Sequence, residues 1–242
     1  MSTGQNSALS CSKKECITSP HTEILWKVFY SEYEQLALGV MCQSCLVIEV
    51  PYYRRFNLWL KKGVLMRVFS ALRYEHDLEC EFIDASIVKA HQHSTDARKE
   101  NDEGIGKSVA GNTTKINMAV DSYGLAIEFY ITGGEVHDSK AAPTLIDRLP
   151  SSDYIIADLG YESEVLREQI RDKNAIPVIP RKKNSKVGNA DIDWCLYKYR
   201  HLVENVFARL KQYRGIATRY DKLKRNYEST LALACSMIWL PM

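Results

Sequence analysis

The chain has 242 residues, of which 45% are hydrophobic and 26% charged, and 32 Lys and Arg against 30 Asp and Glu leave a net charge of only +2. That composition belongs to a folded globular protein and excludes a disordered or fibrous chain; no apolar run approaches the ~20 residues that span a bilayer. The charge excludes recognition of nucleic acid by bulk basicity, so any phosphate-binding surface has to be local.

The N-terminal stretch "MSTGQNSALSCSKKEC" has no apolar segment behind a basic start, and residues 1–22 read as a loose arm. Seven scattered cysteines lack framework spacing, which fits a reducing, cytoplasmic setting. Cys42 and Cys45 form one C-x-x-C, with Cys11, Cys16 or His21 as the nearest further ligands. Zinc wants a second close pair, so two ordinary thiols are the simpler reading. A short helix over Glu23–Leu38 and a short strand are expected before residue 48. From Arg54 to Leu72 the pattern is helical, with Phe56, Leu60, Val64, Val68 and Leu72 on one side and Gly63 breaking the run into two helices.

The pattern then turns to strands. "CEFIDASIVK" (80–89) is β-rich with Asp84 in its middle. Residues 115–134 are two strands about a turn at Asp121–Gly124, a hairpin whose tip places Asp121 in solvent. A helix follows, with Asp138 or Ser139 as its cap and Pro150 beyond its end, while His137 lines a cleft or packs locally. "DYIIADLGY" is a short buried strand ending at Asp158. "SEVLREQIRDKN" is an amphipathic helix capped by Ser163, and "AIPVIP" is another buried strand. "RKKNSKVGNAD" is a basic loop, Asp191–Tyr213 is one long helix, and "STLALACSMIWL" is a helix that closes the core. Strand, hairpin, helix, strand, helix, strand and helix in that order imply a mixed α/β sheet with helices on its faces. The residues divide into an N-terminal arm and helical region (1–76, with 1–50 atypical) and a mixed α/β domain (77–242).

Asp84 and Asp158 interrupt or end apolar strands, where an ionised carboxylate needs a partner. Each alone also fits an aspartate that accepts backbone hydrogen bonds. On the long helix, Tyr197, Arg200, Glu204 and Lys211 fall within roughly a 60° arc at about 100° per residue. Leu196, Val203, Val206, Phe207 and Leu210 form the apolar stripe beside it. An i,i+4 pair accounts for Arg200 and Glu204 but not for Tyr197 and Lys211. Three converging acids are tolerable around a divalent cation, and hard oxygen ligands select Mg2+ or Mn2+. Two such ions activate a nucleophile and stabilise a leaving oxygen at a phosphodiester, with Arg200 and Lys211 neutralising phosphate charge. His91 and His93 are a weaker metal pair, lacking further ligands.

"YKYRHLVENVFARLK" carries Y-x2-R-x3-E-x6-K and, with "FIDASIVKAHQH", "GNTTKINMAVDSYG", "ITGGEVHDS", "IIADLGYES" and "QYRGIATRYDKL", resembles the DDE transposases of bacterial insertion sequences, in the insertion-sequence-five branch, over about residues 52–242. The resemblance implies an RNase H-like catalytic domain and a triad of Asp84, Asp158 and Glu204 holding two Mg2+ ions, with Mn2+ able to substitute. It implies cleavage at terminal inverted repeats followed by strand transfer into double-stranded DNA. It also implies a homodimer or higher assembly on DNA and a cytoplasmic, nucleoid-associated protein. Tyr197, Arg200 and Lys211 are expected at the DNA, with Lys115, Arg181, Lys182 and Lys183 as further DNA contacts. Leu159 stands where relatives commonly have lysine, "GKSVAG" is less basic than usual, and "MCQSCLVIEVPYY" replaces the stretch that normally precedes "YRRF". A catalytically impaired DNA-binding remnant and a nuclease of the same fold are the alternatives.

Overall fold

The structure, a computed structural model, describes residues 46–73, 79–95 and 104–240, with side chains from residue 54 onward. The expected helix at Glu23–Leu38, the early strand and the Cys42–Cys45 pair lie outside them. Met1–Phe56 and Asn57–Met242 are separate compact units. Of the first, only the opening of helix α1 (Leu46–Lys62) is described.

Helix α1 gives way at Gly63, which takes a left-handed φ of 62°, and α2 (Val64–Leu72) begins at once. A backbone without Cβ makes that turn at no steric cost. The break is where the sequence places it, but the buried row is not. Leu60, Leu65 and Phe69 face the core, whereas Val64 and Val68 are half-buried. The left-handed residue rotates the second helix about its axis, so an i+4 row does not continue across it.

Among the described residues, seven strands form one sheet: β1 (Cys80–Ala90), β2 (Gly106–Ser108), β3 (Gly111–Val120), β4 (Ala126–Gly133), β5 (Tyr154–Ala157), β6 (Ile176–Val178) and β7 (Thr218–Arg219). β4, β3 and β1 run antiparallel in that order, while β5 lies parallel to β1 and β6 parallel to β5. That is a mixed sheet with helices on both faces, the α/β arrangement expected from the order of the elements. The expected hairpin is present as β3 and β4; the short strands β2 and β7 have no counterpart in the sequence pattern.

Side chains alternate across each strand, so β1 feeds two cores. Phe82, Met118, Phe129 and Ile156 pack with α2, with α6 (His201–Leu210) through Val203, Val206, Phe207 and Leu210, and with α8 (Lys224–Trp239) through Leu231, Cys235 and Ile238. Ile83, Ala119, Ile127 and Ile155 pack on the other face with Leu145 and Ile146 of α3 (Asp138–Arg148) and with Leu166 and Ile170 of α4 (Glu164–Asp172). Both cores are apolar layers between sheet and helix, and β1 is buried on both faces over Cys80–Ile83, where helices cover both.

Three local expectations change. The helix over Asp191–Tyr213 is broken: α5 (Trp194–Tyr197) passes through a 3-10 turn at Lys198–Arg200 before α6 begins. A short helix, α7 (Arg214–Ala217), follows. Asp121 is fully buried rather than exposed, because its Oδ1 accepts from the backbone N–H groups of Tyr123 (3.0 Å) and Leu125 (2.8 Å) and so folds back over the turn. The cap of α3 is His137, whose Nδ1 accepts from the Ser139 backbone N–H, and Asp138 becomes its first residue.

Candidate active site

β3 runs along one edge of β1, from Phe82 to Lys89. The other edge is shared. β5 pairs with Cys80–Ile83 and β7 pairs with Lys89–Ala90, which leaves residues 84–88 without a strand partner on that side among the described residues. The sheet therefore opens a notch just where β5 ends. Ile83 is in register with Ala157, so Asp84 and Asp158, the next residue on each of two adjacent parallel strands, come side by side. The carboxyl ends of parallel strands at such a discontinuity are where α/β sheets bind ligands. Asp84 itself lies mid-strand, since β1 runs on to Ala90; it is the neighbouring strand that ends there.

Helix α6 packs against β1 and brings the third acid. Arg200, at its N-terminal boundary, donates from Nη1 to Asp84 Oδ2 (3.0 Å) and from Nη2 to Glu204 Oε1 (2.6 Å). One guanidinium thus ties the strand acid to the helix acid. Tyr197, one turn earlier, donates its hydroxyl to Asp158 Oδ1 (3.1 Å). Trp194 meets the Tyr197 ring edge-on, with centroids 5.6 Å apart.

The electrostatics follow from this packing. Burial raises the Asp84 carboxyl above its ordinary range. The Ala85 backbone N–H and Arg200 pull it down, and the charges of Asp158 and Glu204 push it up again. Burial works against the Arg200 charge, yet Asp158, Asp84 and Glu204 together hold its pKa above the usual value. Burial, and then Asp158, raises Tyr197, so its hydroxyl keeps its proton and donates. Asp158 and Glu204 each lie within electrostatic reach of Asp84, and all three within reach of Arg200.

The donor set suits a hard divalent cation: carboxylate oxygens, one of them partly desolvated and raised by its acidic neighbours. As the side chains stand, no three His, Cys, Asp or Glu among the described residues come together closely enough to hold a metal ion. Arg200 lies between two of the three acids and Tyr197 engages the other. The residues fit a metal in kind, with the Glu204 carboxylate bonded to Arg200 rather than grouped with the two aspartates.

The remaining candidates are dispersed. Lys211 is exposed at the end of α6. Lys182 and Lys183 stand exposed on the loop after β6, with Lys182 3.7 Å from Glu162. Lys115 and Arg181 do not present free cations to DNA. Lys115 shares a sheet face with Asn117 and Ala85, opposite to Asp84. There it donates to Asp138 (2.8 Å) and to the Val136 carbonyl (2.6 Å). Arg181 is buried against Asp191 through two hydrogen bonds. Both charges are compensated inside the fold, for which sequence carries no signal until the partner acid is placed. His91 and His93 are ring neighbours, with no third ligand beside them among the described residues.

Tyr161 joins the site without any signal in the sequence. It is 1% exposed, its hydroxyl has no hydrogen-bond partner among the described residues, and burial followed by the charges of Asp138, Asp84 and Asp158 raises its pKa well above the usual value. Asp138, Asp84 and Asp158 all lie within electrostatic reach of it. A tyrosine after a glycine turn gives no hint of that position.

The sequence profile of the family described as "Transposase DDE domain" matches residues 76–239 of this chain, which include all three acids and the helix that carries Glu204. The chain belongs to the DDE transposase family. A transposase for insertion sequence element IS6501 of Brucella ovis is 35% identical over 128 residues, 53% of this chain and 98% of that one. A transposase for IS402 of Burkholderia cepacia is 29% identical over 136 residues, covering 52% of this chain and 62% of that one. A transposase for IS1106 of Neisseria meningitidis serogroup B is 24% identical over 220 residues, covering 76% and 75%. This transposase is thus of the bacterial insertion-sequence kind, a polynucleotidyl-transferase type of enzyme, and DDE domains generally use divalent metal ions. Among its described residues no helix is long and apolar enough to cross a membrane.

Proposed function

We propose that this transposase cuts DNA at the terminal inverted repeats of an insertion sequence and joins the freed 3′-hydroxyl to target DNA, with Asp84, Asp158 and Glu204 as its catalytic acids. The Y-x2-R-x3-E-x6-K spacing of Tyr197, Arg200, Glu204 and Lys211 supports membership of the insertion-sequence-five branch. Residues 77–242 are the catalytic domain in this reading. The observation that carries it is the register of β1 and β5, which sets Asp84 and Asp158 side by side at an open notch with Glu204 tethered above them through Arg200.

Asp84, Asp158 and Glu204 would hold two Mg2+ ions, or Mn2+. Metal ions held so supply a lowered pKa for the attacking oxygen and charge stabilisation for the leaving one. The chain's own residues do the rest. Arg200 keeps the acids compensated before DNA arrives. Its forked N–H groups then match a phosphate in the same way that they match carboxylates. The Tyr197 hydroxyl orients Asp158 by holding one of its oxygens, leaving the other to bind. Lys211 and the exposed Lys182 and Lys183 lend charge to the DNA backbone. Paired ends call for a dimer or higher assembly.

The test is a cleavage and strand-joining assay with inverted-repeat DNA and Mg2+. The wild type is expected to release a 3′-hydroxyl end and join it to target, and Asp158→Asn to do neither. Cleavage surviving in that variant overturns the assignment of the acids.

A further inference from the structure

At the far end of β1, beyond the notch, the chain builds a feature for which the catalytic acids have no use. The His91 ring lies 4.9 Å from the His93 ring at 34° and 4.9 Å from the Tyr220 ring at 29°, stacked with the latter. The Arg214 guanidinium sits 5.9 Å over the Tyr220 ring. These groups come from three places, the end of β1, the residue after β7, and α7, yet they gather on one surface. Tyr220 is 42% exposed, His93 and Arg214 are exposed, and His91 is half-buried between its neighbours. A packing cluster would bury such rings; this one presents them.

The ground beneath is rigid. The His91 N–H donates to the Arg219 carbonyl at 2.8 Å, joining the ends of β1 and β7. Arg219 is fully buried and donates from Nη1 to the Gly104 carbonyl (3.2 Å) and Thr114 Oγ1 (3.0 Å), and its guanidinium lies 5.2 Å over the Tyr227 ring. The exposed rings are therefore held in place by a buried arginine clamp, which lowers the ordering cost of whatever stacks on them.

We propose that His91, His93, Tyr220 and Arg214 form a stacking platform for unpaired nucleobases of the bound DNA strand. This rests on the DNA reading above. Paired bases in a duplex offer only their edges, whereas an aromatic face needs the face of a base, which only an unpaired one exposes. Arg214 adds a cation to the stack, and Lys89, exposed on β1 two residues before His91, adds one beside it. Seven residues of strand separate Asp84 from His91, about 23 Å at ~3.3 Å each, or on the order of seven base-pair steps. A strand whose phosphate lies in the notch and which continues along β1 reaches the rings. Metal binding by the two histidines is the poorer use of them: His91 Nδ1 already accepts from the His93 N–H, and no third ligand stands near among the described residues.

The experiment compares the full-length wild type with Tyr220→Ala, His93→Ala and Tyr220→Phe. The probes are a blunt duplex and the same duplex with a six-nucleotide single-stranded tail containing 2-aminopurine, at one fixed salt concentration. The wild type is expected to bind the tailed DNA about tenfold more tightly than the blunt and to quench the 2-aminopurine fluorescence. Tyr220→Ala and His93→Ala should each lose on the order of tenfold for the tail, with blunt-duplex affinity and melting temperature unchanged, while Tyr220→Phe keeps the preference because it keeps the ring. Equal tail affinity and equal quenching in both alanine variants overturn the platform and leave the DNA reading standing. Failure of the wild type to bind either duplex overturns both.

Discussion

Arg200 stands between Asp84 and Glu204, 3.0 Å from one carboxylate and 2.6 Å from the other, and so occupies the role that a cation has among like charges. Two carboxylates near one another are costly without positive charge between them. The same guanidinium holds Glu204 away from the aspartates. Arg200 therefore offsets the charge of the acids and, in the proposed reading, competes with the ion that they would bind.

That competition is measurable. Arg200→Gln removes the positive charge and leaves Asp84 and Glu204 uncompensated. With Asp84 four-fifths buried and Glu204 half-exposed, the metal-free protein should lose about 1–2 kcal/mol of stability after allowance for solvent screening. Mn2+ should bind the variant about tenfold more tightly in the absence of DNA, and addition of Mn2+ should raise its melting temperature more than it raises that of the wild type. Isothermal titration and thermal melting read both effects. Unchanged or weaker Mn2+ affinity in the variant means that Arg200 does not compete for the acids.

Tyr197 gives a finer prediction. Its hydroxyl donates to Asp158 at 3.1 Å, and the ring is further held by Trp194. Tyr197→Phe removes one hydrogen bond to a charged group and nothing of the ring. Strand cleavage should fall on the order of tenfold while duplex affinity stays within about twofold, because the hydroxyl positions an acid rather than binding the DNA backbone. Rates and affinities measured on the same preparation check this; a parallel fall in affinity would make Tyr197 a DNA contact instead.

The basic residues divide by location. Lys115 is buried against Asp138, so Lys115→Met should cost about 1–3 kcal/mol in thermal or urea unfolding and leave the salt dependence of DNA binding unaltered. Lys182 and Lys183 are exposed, and replacing both with alanine should leave stability within about 0.5 kcal/mol. The slope of log affinity against log salt should become shallower by about 0.9 for each phosphate that the variant no longer neutralises. A reversal of these two behaviours would contradict the assignment of one charge to the core and the others to the surface.

How far the site is legible in the sequence follows from the kind of signal each residue leaves. Asp84 and Asp158 are visible because an acid inside an apolar strand contradicts its surroundings. The positions of β1, the hairpin and β5 are visible because period-two and fully apolar runs are strong patterns over about four to ten residues. The 3-10 turn at Lys198–Arg200 leaves no mark, because its residues suit a continuous helix equally well. Asp121 reads as exposed because a hairpin tip usually is; that its carboxylate folds onto two backbone N–H groups is a tertiary outcome. Arg200 reads as paired within its own helix, and its second bond, to a strand acid 116 residues away, exists only once the sheet has formed. Lys115 and Arg181 read as surface cations for the same reason: their partners are set by packing.

Glu81 carries the last prediction, and it concerns stability rather than catalysis. It is 0% exposed at the start of β1, and neither carboxyl oxygen has a hydrogen bond of good geometry among the described residues. Burial pushes its pKa up to about 7, against the opposing pull of Ser152 and Lys173. In the unfolded chain the same group titrates near ~4.3. Below that value both states are protonated and Glu81 has no effect on unfolding. Between about pH 4.3 and 7 the unfolded state ionises while the folded state stays neutral, so stability falls as pH rises through this window. Above about 7 the folded protein holds a buried carboxylate and the loss is complete, at most about 3–4 kcal/mol. Glu81→Gln keeps the shape and removes the titration. Urea unfolding at about pH 5 and about pH 8 should show a decline of about 2–3 kcal/mol in the wild type that is largely absent from the variant, whatever the absolute stability of the variant. If the two proteins decline in parallel, another group is responsible and Glu81 is ionised in the folded state at much lower pH.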